Sequence, residues 1–131
     1  MENNTEFEIK EGYVVVTAHG KRNLLAIIEG TKKLNEIAEA NNVKFALVDY
    51  RDVIINTPLA DAFNLVKLYE QKLPRFSESV ISLVVTERNL EIARFWESVC
   101  HKRGYQYKLF TDYKAAENWL TIQIEEHSSP S

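Results

Sequence analysis

Hydrophobic and polar positions alternate at the start of this chain. Residues 6–9 (EFEI) and 13–18 (YVVVTA) are β-rich runs on either side of Lys10-Glu11-Gly12. The pattern predicts a hairpin, with Gly12 supplying the unusual backbone angle of its turn. The period then changes from two to 3.6. Across residues 23–42, Leu24, Ile27, Ile28, Thr31, Leu34 and Ala38 fall on one stripe of a helix that the Asn41-Asn42 pair ends. Gly30 lies beside that stripe, a place for close packing on a sheet.

A continuous apolar run at 43–49 (VKFALVD) has the pattern of a buried parallel strand. A second helix is predicted from Pro58, with Leu59, Ala62, Phe63, Leu65, Val66, Tyr69 and Leu73 as its broad apolar face and Pro74 at its end. Residues 80–86 (VISLVVT) form another buried strand. The third helix covers 89–103, with Ile92, Ala93, Phe95, Trp96, Val99 and Cys100 on one face and Gly104 just past its end. A strand at 105–110 follows. The last helix starts at Thr111-Asp112 and carries Ala116, Trp119 and Leu120 inward.

The order is ββαβαβαβα, an α/β fold with a mostly parallel sheet in which only the first strand runs antiparallel. There is no internal repeat or linker. Residues 1–124 read as a single domain and 125–131 (EEHSSPS) as a disordered tail. In such folds ligands and partners meet the edge where strands run into helices. Here that edge would hold His19 to Asn23, Asp49 to Thr57, Thr86 to Asn89, and Thr111-Asp112.

Bulk properties narrow the function classes. The chain has 131 residues, enough for one domain with a self-sufficient core, and a net charge of −3, which argues against a general grip on nucleic acid. One cysteine, Cys100, excludes an internal disulfide and suits a reducing, cytoplasmic compartment. The polar N-terminus lacks the pattern of a signal peptide, and no apolar stretch approaches a membrane span.

Candidate chemistry is sparse. No glycine-rich nucleotide fingerprint or nucleophile elbow is present, so no cofactor and no catalytic set is expected. His19, His101 and His127 lack metal-ligand spacing with one another or with Cys100. A receiver domain is set aside, because its first strand would lead into an acidic pair rather than a hairpin. Asp49 and Asp52 flank Tyr50-Arg51; they are turn residues paired with Arg51, or an acid–base pair if their side chains converge. Cys100, Trp96 and Trp119 sit at core spacing. The basic cluster His19-Gly20-Lys21-Arg22 is a solvated turn or an anion site, to which Arg88 could add. Thr57-Pro58 reads as a helix start, with Thr57 at the N-cap, Pro58 in the first helical position and Asp61 in the first turn.

The element order, the LVDY that ends the third strand, and the polar pair Asn56-Thr57 before the second helix resemble STAS domains, the SpoIIAA-like anti-anti-sigma factors. The closing FTDYKAAENWL is similar to the ending of small bacterial STAS-like proteins, and the resemblance spans residues 6–121. In the anti-anti-sigma members an Asp-Ser/Thr-Ser/Thr-Gly stretch carries a hydroxyl that a partner kinase phosphorylates, which releases the partner. The matching stretch here is Asn56-Thr57-Pro58-Leu59, so Thr57 is the one candidate phosphoacceptor. The resemblance implies a non-catalytic, regulatory protein-interaction module with a protein partner. Its partner edge would include His19, Lys21, Arg22, Asp49, Asn56, Arg88 and Asn89, with Leu25 and Leu68 as outward apolar residues. A homodimer is a further option. The alternative is a carrier of a small apolar molecule or lipid, after the similar plan of the CRAL-TRIO fold. A carrier requires an internal cavity with few polar groups and an anionic head at Lys21/Arg22.

Overall fold

A computed structural model describes residues 4–128. Strands β1 (Asn4–Lys10) and β2 (Tyr13–Arg22) form the expected hairpin, and Gly12 takes φ +88° in its two-residue turn. Helix α1 (Leu24–Ala40) is capped by Asn23, whose side chain accepts from the Ala26 N–H at 2.9 Å. It stops at Asn41, and Asn42 follows with φ 55°. Then come β3 (Phe45–Ile55), α2 (Asp61–Lys72), a 3-10 turn at Pro74–Glu78, and β4 (Val80–Val84). A second 3-10 turn at Glu87–Asn89 leads into α3 (Leu90–Lys102), followed by β5 (Gln106–Phe110) and α4 (Tyr113–Ser128).

The sheet order is β1-β2-β3-β4-β5, with β1 antiparallel and every other pair parallel. Alternation along each central strand splits the core in two. Val14, Val16, Ala46, Val48, Ile81 and Leu83 face α1, α2 and α3. Val15, Leu47, Val80 and Val84 face α4 through Ala116 and Leu120. A parallel sheet covered on both faces needs such strands, apolar at nearly every position.

Several expectations are corrected. β2 runs to Arg22 and β3 to Ile55, so His19, Lys21 and Arg22 lie in a strand rather than a turn, and most of the Asp49–Thr57 stretch is also strand. An irregularity makes this possible: Thr17 pairs with Asp49 but His19 with Asp52, which leaves one extra residue on β3. Beyond it both strands continue in register to the Arg22–Ile55 pair, and the Asn56 N–H reaches the Arg22 carbonyl at 2.7 Å. Helix α2 begins at Asp61, because Pro58, Leu59 and Ala60 form tighter turns whose carbonyls accept from Asp61, Ala62 and Phe63. This sets the inward face as Ala62, Leu65, Val66 and Tyr69; Leu68 packs partly against the core, whereas Leu59, Phe63 and, on α3, Phe95 face outward. Gly30 is not in close contact, for a Cβ there would meet nothing within 4 Å. Helix α4 carries residues 125–128, where a tail was expected, since no helix breaker occurs before Pro130. Residues 129–131 lie outside the described residues.

Candidate functional site

The ends of β2, β3 and β4 and the starts of α1, α2 and α3 gather at one edge of the sheet, and the candidate residues divide there by role. Asp49 is buried and held by Arg51. The Arg51 backbone N–H and Nε donate to Asp49 Oδ1 at 3.1 and 2.9 Å, and Nη2 donates to Oδ2 at 2.8 Å. The Arg51 guanidinium also lies 4.8 Å from the centre of the Tyr113 ring. The bond to Asp49 pushes the Arg51 pKa up. Asp52 meets His19 instead, at 3.4 Å from Nδ1. The two carboxylates therefore serve different partners and do not converge.

Asn89 is buried and works as a clamp. Its Oδ1 accepts from the Ile55 N–H at 3.2 Å and its Nδ2 donates to the Val53 carbonyl at 2.8 Å. The turn after β4 thus fixes the far end of β3. Arg88, its neighbour, is exposed, as are Lys21 and Asn56.

Thr57 is half-buried, and its hydroxyl donates to Asp61 Oδ2 at 2.9 Å. Asp61 Oδ1 accepts from Asn64 Nδ2 at 3.2 Å. The threonine is tied to the first residue of α2 by its side chain and does not cap a backbone N–H. The N-cap reading is corrected because the turns at 58–60 place Thr57 too far ahead of the helix. Leu25 and Leu59, near the starts of α1 and α2, are 70% and 43% exposed, and Phe63 in the first turn of α2 is 40% exposed. Phe63 lies beneath two cations, Lys67 Nζ at 5.6 Å and the Arg103 guanidinium at 5.3 Å.

Arg22 is only 8% exposed. Its Nη2 donates to the Asn4 carbonyl at 2.7 Å, to Thr5 Oγ1 at 2.8 Å and to the His19 carbonyl at 3.2 Å. It lines a cavity of about 20 Å3 between the sheet and α1. That space holds one or two water molecules and not an acyl chain. Burial pushes the Tyr50 phenol on its wall up to about 12, with Arg22 pulling the other way. Cys100 is buried in the core, and its thiol is also pushed up to about 12, by burial and then by Glu97. Among the described residues no group of His, Cys, Asp and Glu has the arrangement to hold a metal ion, and no helix is long and apolar enough to cross a membrane.

No protein-family model matches the chain, and no curated protein does. Solved structures do. An uncharacterized protein of the DUF3478 family with a SpoIIAA-like fold, from Shewanella loihica PV-4, is 22% identical, with a TM-score of 0.56 over 90% of this chain and 93% of that one. An anti-sigma factor antagonist from Mycobacterium paratuberculosis is 12% identical, with a TM-score of 0.61 over 92% and 95%. The phosphorylated form of the Bacillus cell fate determinant SpoIIAA is 14% identical, with a TM-score of 0.52 over 88% and 99%. These likenesses are of fold, and with the element order and sheet topology they give the chain a SpoIIAA-like fold.

Proposed function

We propose that this chain is a STAS-type regulatory module that binds a protein partner through the edge where α1 and α2 begin, without catalysing a reaction. One observation carries the reading: Leu25 at the start of α1 and Leu59 and Phe63 at the start of α2 are exposed, while Thr57 and Asn89 at the same edge are held within the fold. Exposed apolar residues at one edge of the fold suit a protein-binding surface better than a solvated one. A fold neighbour described as an anti-sigma factor antagonist acts on another protein, and this supports the same mode here. Binding without chemistry fits Asp49 tied to Arg51 and Cys100 buried with a raised pKa.

In this reading Thr57 holds the start of α2 and is not a phosphoacceptor. Its hydroxyl faces the Asp61 carboxylate at 2.9 Å, so a phosphoryl group would bring nearly two more negative charges against an existing one. The small size of the Arg22 cavity favours the module over a carrier of apolar molecules.

Affinity capture from the native host, with the wild-type chain and Leu59→Glu side by side, tests the surface. A partner held by the wild type and lost from a folded Leu59→Glu is the expected result; a partner held equally by both contradicts it. Intact mass of the host-purified protein tests the threonine. Unmodified Thr57 is expected, and a phosphoryl group mapped to it overturns that half of the reading.

A further inference from the structure

We propose that the outer edge of β1 is a second docking surface, which takes an extended segment of another protein with lysine or arginine at alternate positions. It offers backbone hydrogen bonds, where the starts of α1 and α2 offer apolar side chains. β1 stands first in the sheet order, and among the described residues it pairs with β2 alone. The hairpin closes at the Lys10–Tyr13 pair across a two-residue turn, so Lys10, Glu8, Glu6 and Asn4 exchange their backbone bonds with β2. Thr5, Phe7 and Ile9 alternate with them and direct their N–H and C=O groups away from the sheet. Such a row is a template for one more strand. At the opposite edge, side chains of α3 already take the Leu109 N–H and the Tyr107 carbonyl. The β1 template is fixed at its start, since Arg22 donates to the Asn4 carbonyl and the Thr5 hydroxyl.

Charge decides the occupant. Glu6 and Glu8 are exposed on one face of β1, and their neighbours across the ladder, Thr17 and Val15, are neutral. Within residues 4–12 Lys10, at 3.6 Å from Glu8, is the one cation against Glu6, Glu8 and Glu11. Both members of that pair are exposed, so it offsets little. A second copy fits poorly. Two β1 strands paired antiparallel along their whole length, about Phe7, would set each Glu6 against the other copy's Glu8, and a centre at Glu6 or Glu8 would set that glutamate against itself. Like charges directly opposite are destabilising, whereas lysine or arginine at those positions of an added strand is favourable.

The other face of β1 sets the residues between the cations. Thr5, Phe7 and Ile9 share it, and Ile9 is 54% exposed. Thr5 and Phe7 border an open groove whose α1 side is lined by Ala26, Gly30 and Lys33. A Cβ at Gly30 would meet nothing within 4 Å, which leaves room on that side. Lys32 and Lys33 are matched there by Glu29 and Glu36, so the groove favours neither sign of charge. Residues of an added strand opposite Phe7 and Ile9 fall on this face, where β-branched apolar side chains pack well. The segment therefore reads as valine or isoleucine alternating with lysine or arginine.

A capped synthetic peptide, Thr-Lys-Val-Lys-Val-Lys-Thr, titrated into the full chain and followed by proton–nitrogen NMR and amide hydrogen exchange, tests the edge. Saturable shifts in β1 are expected. At saturation the Phe7 and Ile9 amides should exchange at least about tenfold more slowly, with Glu6 and Glu8, already bonded to β2, little changed. The same peptide with glutamate in place of lysine should bind at least about tenfold more weakly at low salt. Glu6→Gln combined with Glu8→Gln should erase that preference. Ile9→Pro removes an outward N–H and leaves the β1–β2 bonds in place, and should weaken the lysine peptide at least about tenfold while the rest of the amide spectrum stays that of the folded chain. No saturable shift, shifts without slowed exchange at Phe7 and Ile9, equal binding of the glutamate peptide, or unchanged affinity in Ile9→Pro each overturns the proposal. So does protection of the two amides in the free chain that grows with protein concentration, which would put a second copy at the edge.

Discussion

Single residues hold the extended arm of β2 and β3 in place. Gly20 sits within β2, paired with Val53, at φ +93°. Side chains rarely adopt that conformation, so Gly20→Ala should lower unfolding free energy by about 1–2 kcal/mol in a urea titration. Asn89 acts from the next crossover. Asn89→Ala leaves the Ile55 N–H and the Val53 carbonyl without their partner, and should cost about 2–3 kcal/mol with faster amide exchange at Ile55. Neither role was legible in the sequence. Asn89 looked like part of an edge loop because its partners are 34 and 36 residues away. Arg22 looked solvated, as its neighbours Lys21 and His19 would suggest. Only the strand's continuation to Arg22 turns its side chain inward against Tyr50.

At the scale of elements, the strands and helices were legible wherever one period ran unbroken. The alternating hairpin, the apolar runs of β4 and the stripe of α1 all appear where their patterns place them. The pattern failed where geometry broke the period. The extra residue near Asp52 puts polar residues 51 and 52 in succession, which reads as a loop, although Val53-Ile54-Ile55 is a β-branched run that signals strand. The turns at 58–60 shift the start of α2, and its apolar face rotates so that Phe63 leaves the core. Helix α3 also has a task that its periodicity does not reveal. Glu97 Oε2 accepts the Leu109 N–H at 2.6 Å and His101 Nε2–H donates to the Tyr107 carbonyl at 2.7 Å, so side chains occupy the outer edge of β5. Glu97→Ala should cost about 1 kcal/mol and raise self-association relative to wild type in sedimentation velocity, as the freed edge can pair with a second copy.

The molecule as a whole carries three helices on one sheet face and one on the other, with phenols and a thiol buried between. Tyr50 is shifted from an ordinary 10 up to about 12 by burial. Because its folded pKa is the higher one, its contribution is intact below pH 10 and is lost as pH rises from 10 towards 12. Tyr69 and Tyr107, raised in the same direction by burial, add to the effect. Stability measured by denaturant titration should therefore fall steeply across that alkaline range, and Cys100 should react with thiol reagents only as the core opens. The proposed partner edge, with Leu59 beside it, differs from the outward face of α4, where Ile122 is half-exposed. A photo-crosslinking residue placed at position 59 and, separately, at position 122 in the native host tests the central claim most directly. Crosslinking to one defined protein from position 59 and not from position 122 is the expected result. No crosslink from position 59, or equal capture from both positions, would contradict a module that docks its partner at the edge where its helices begin.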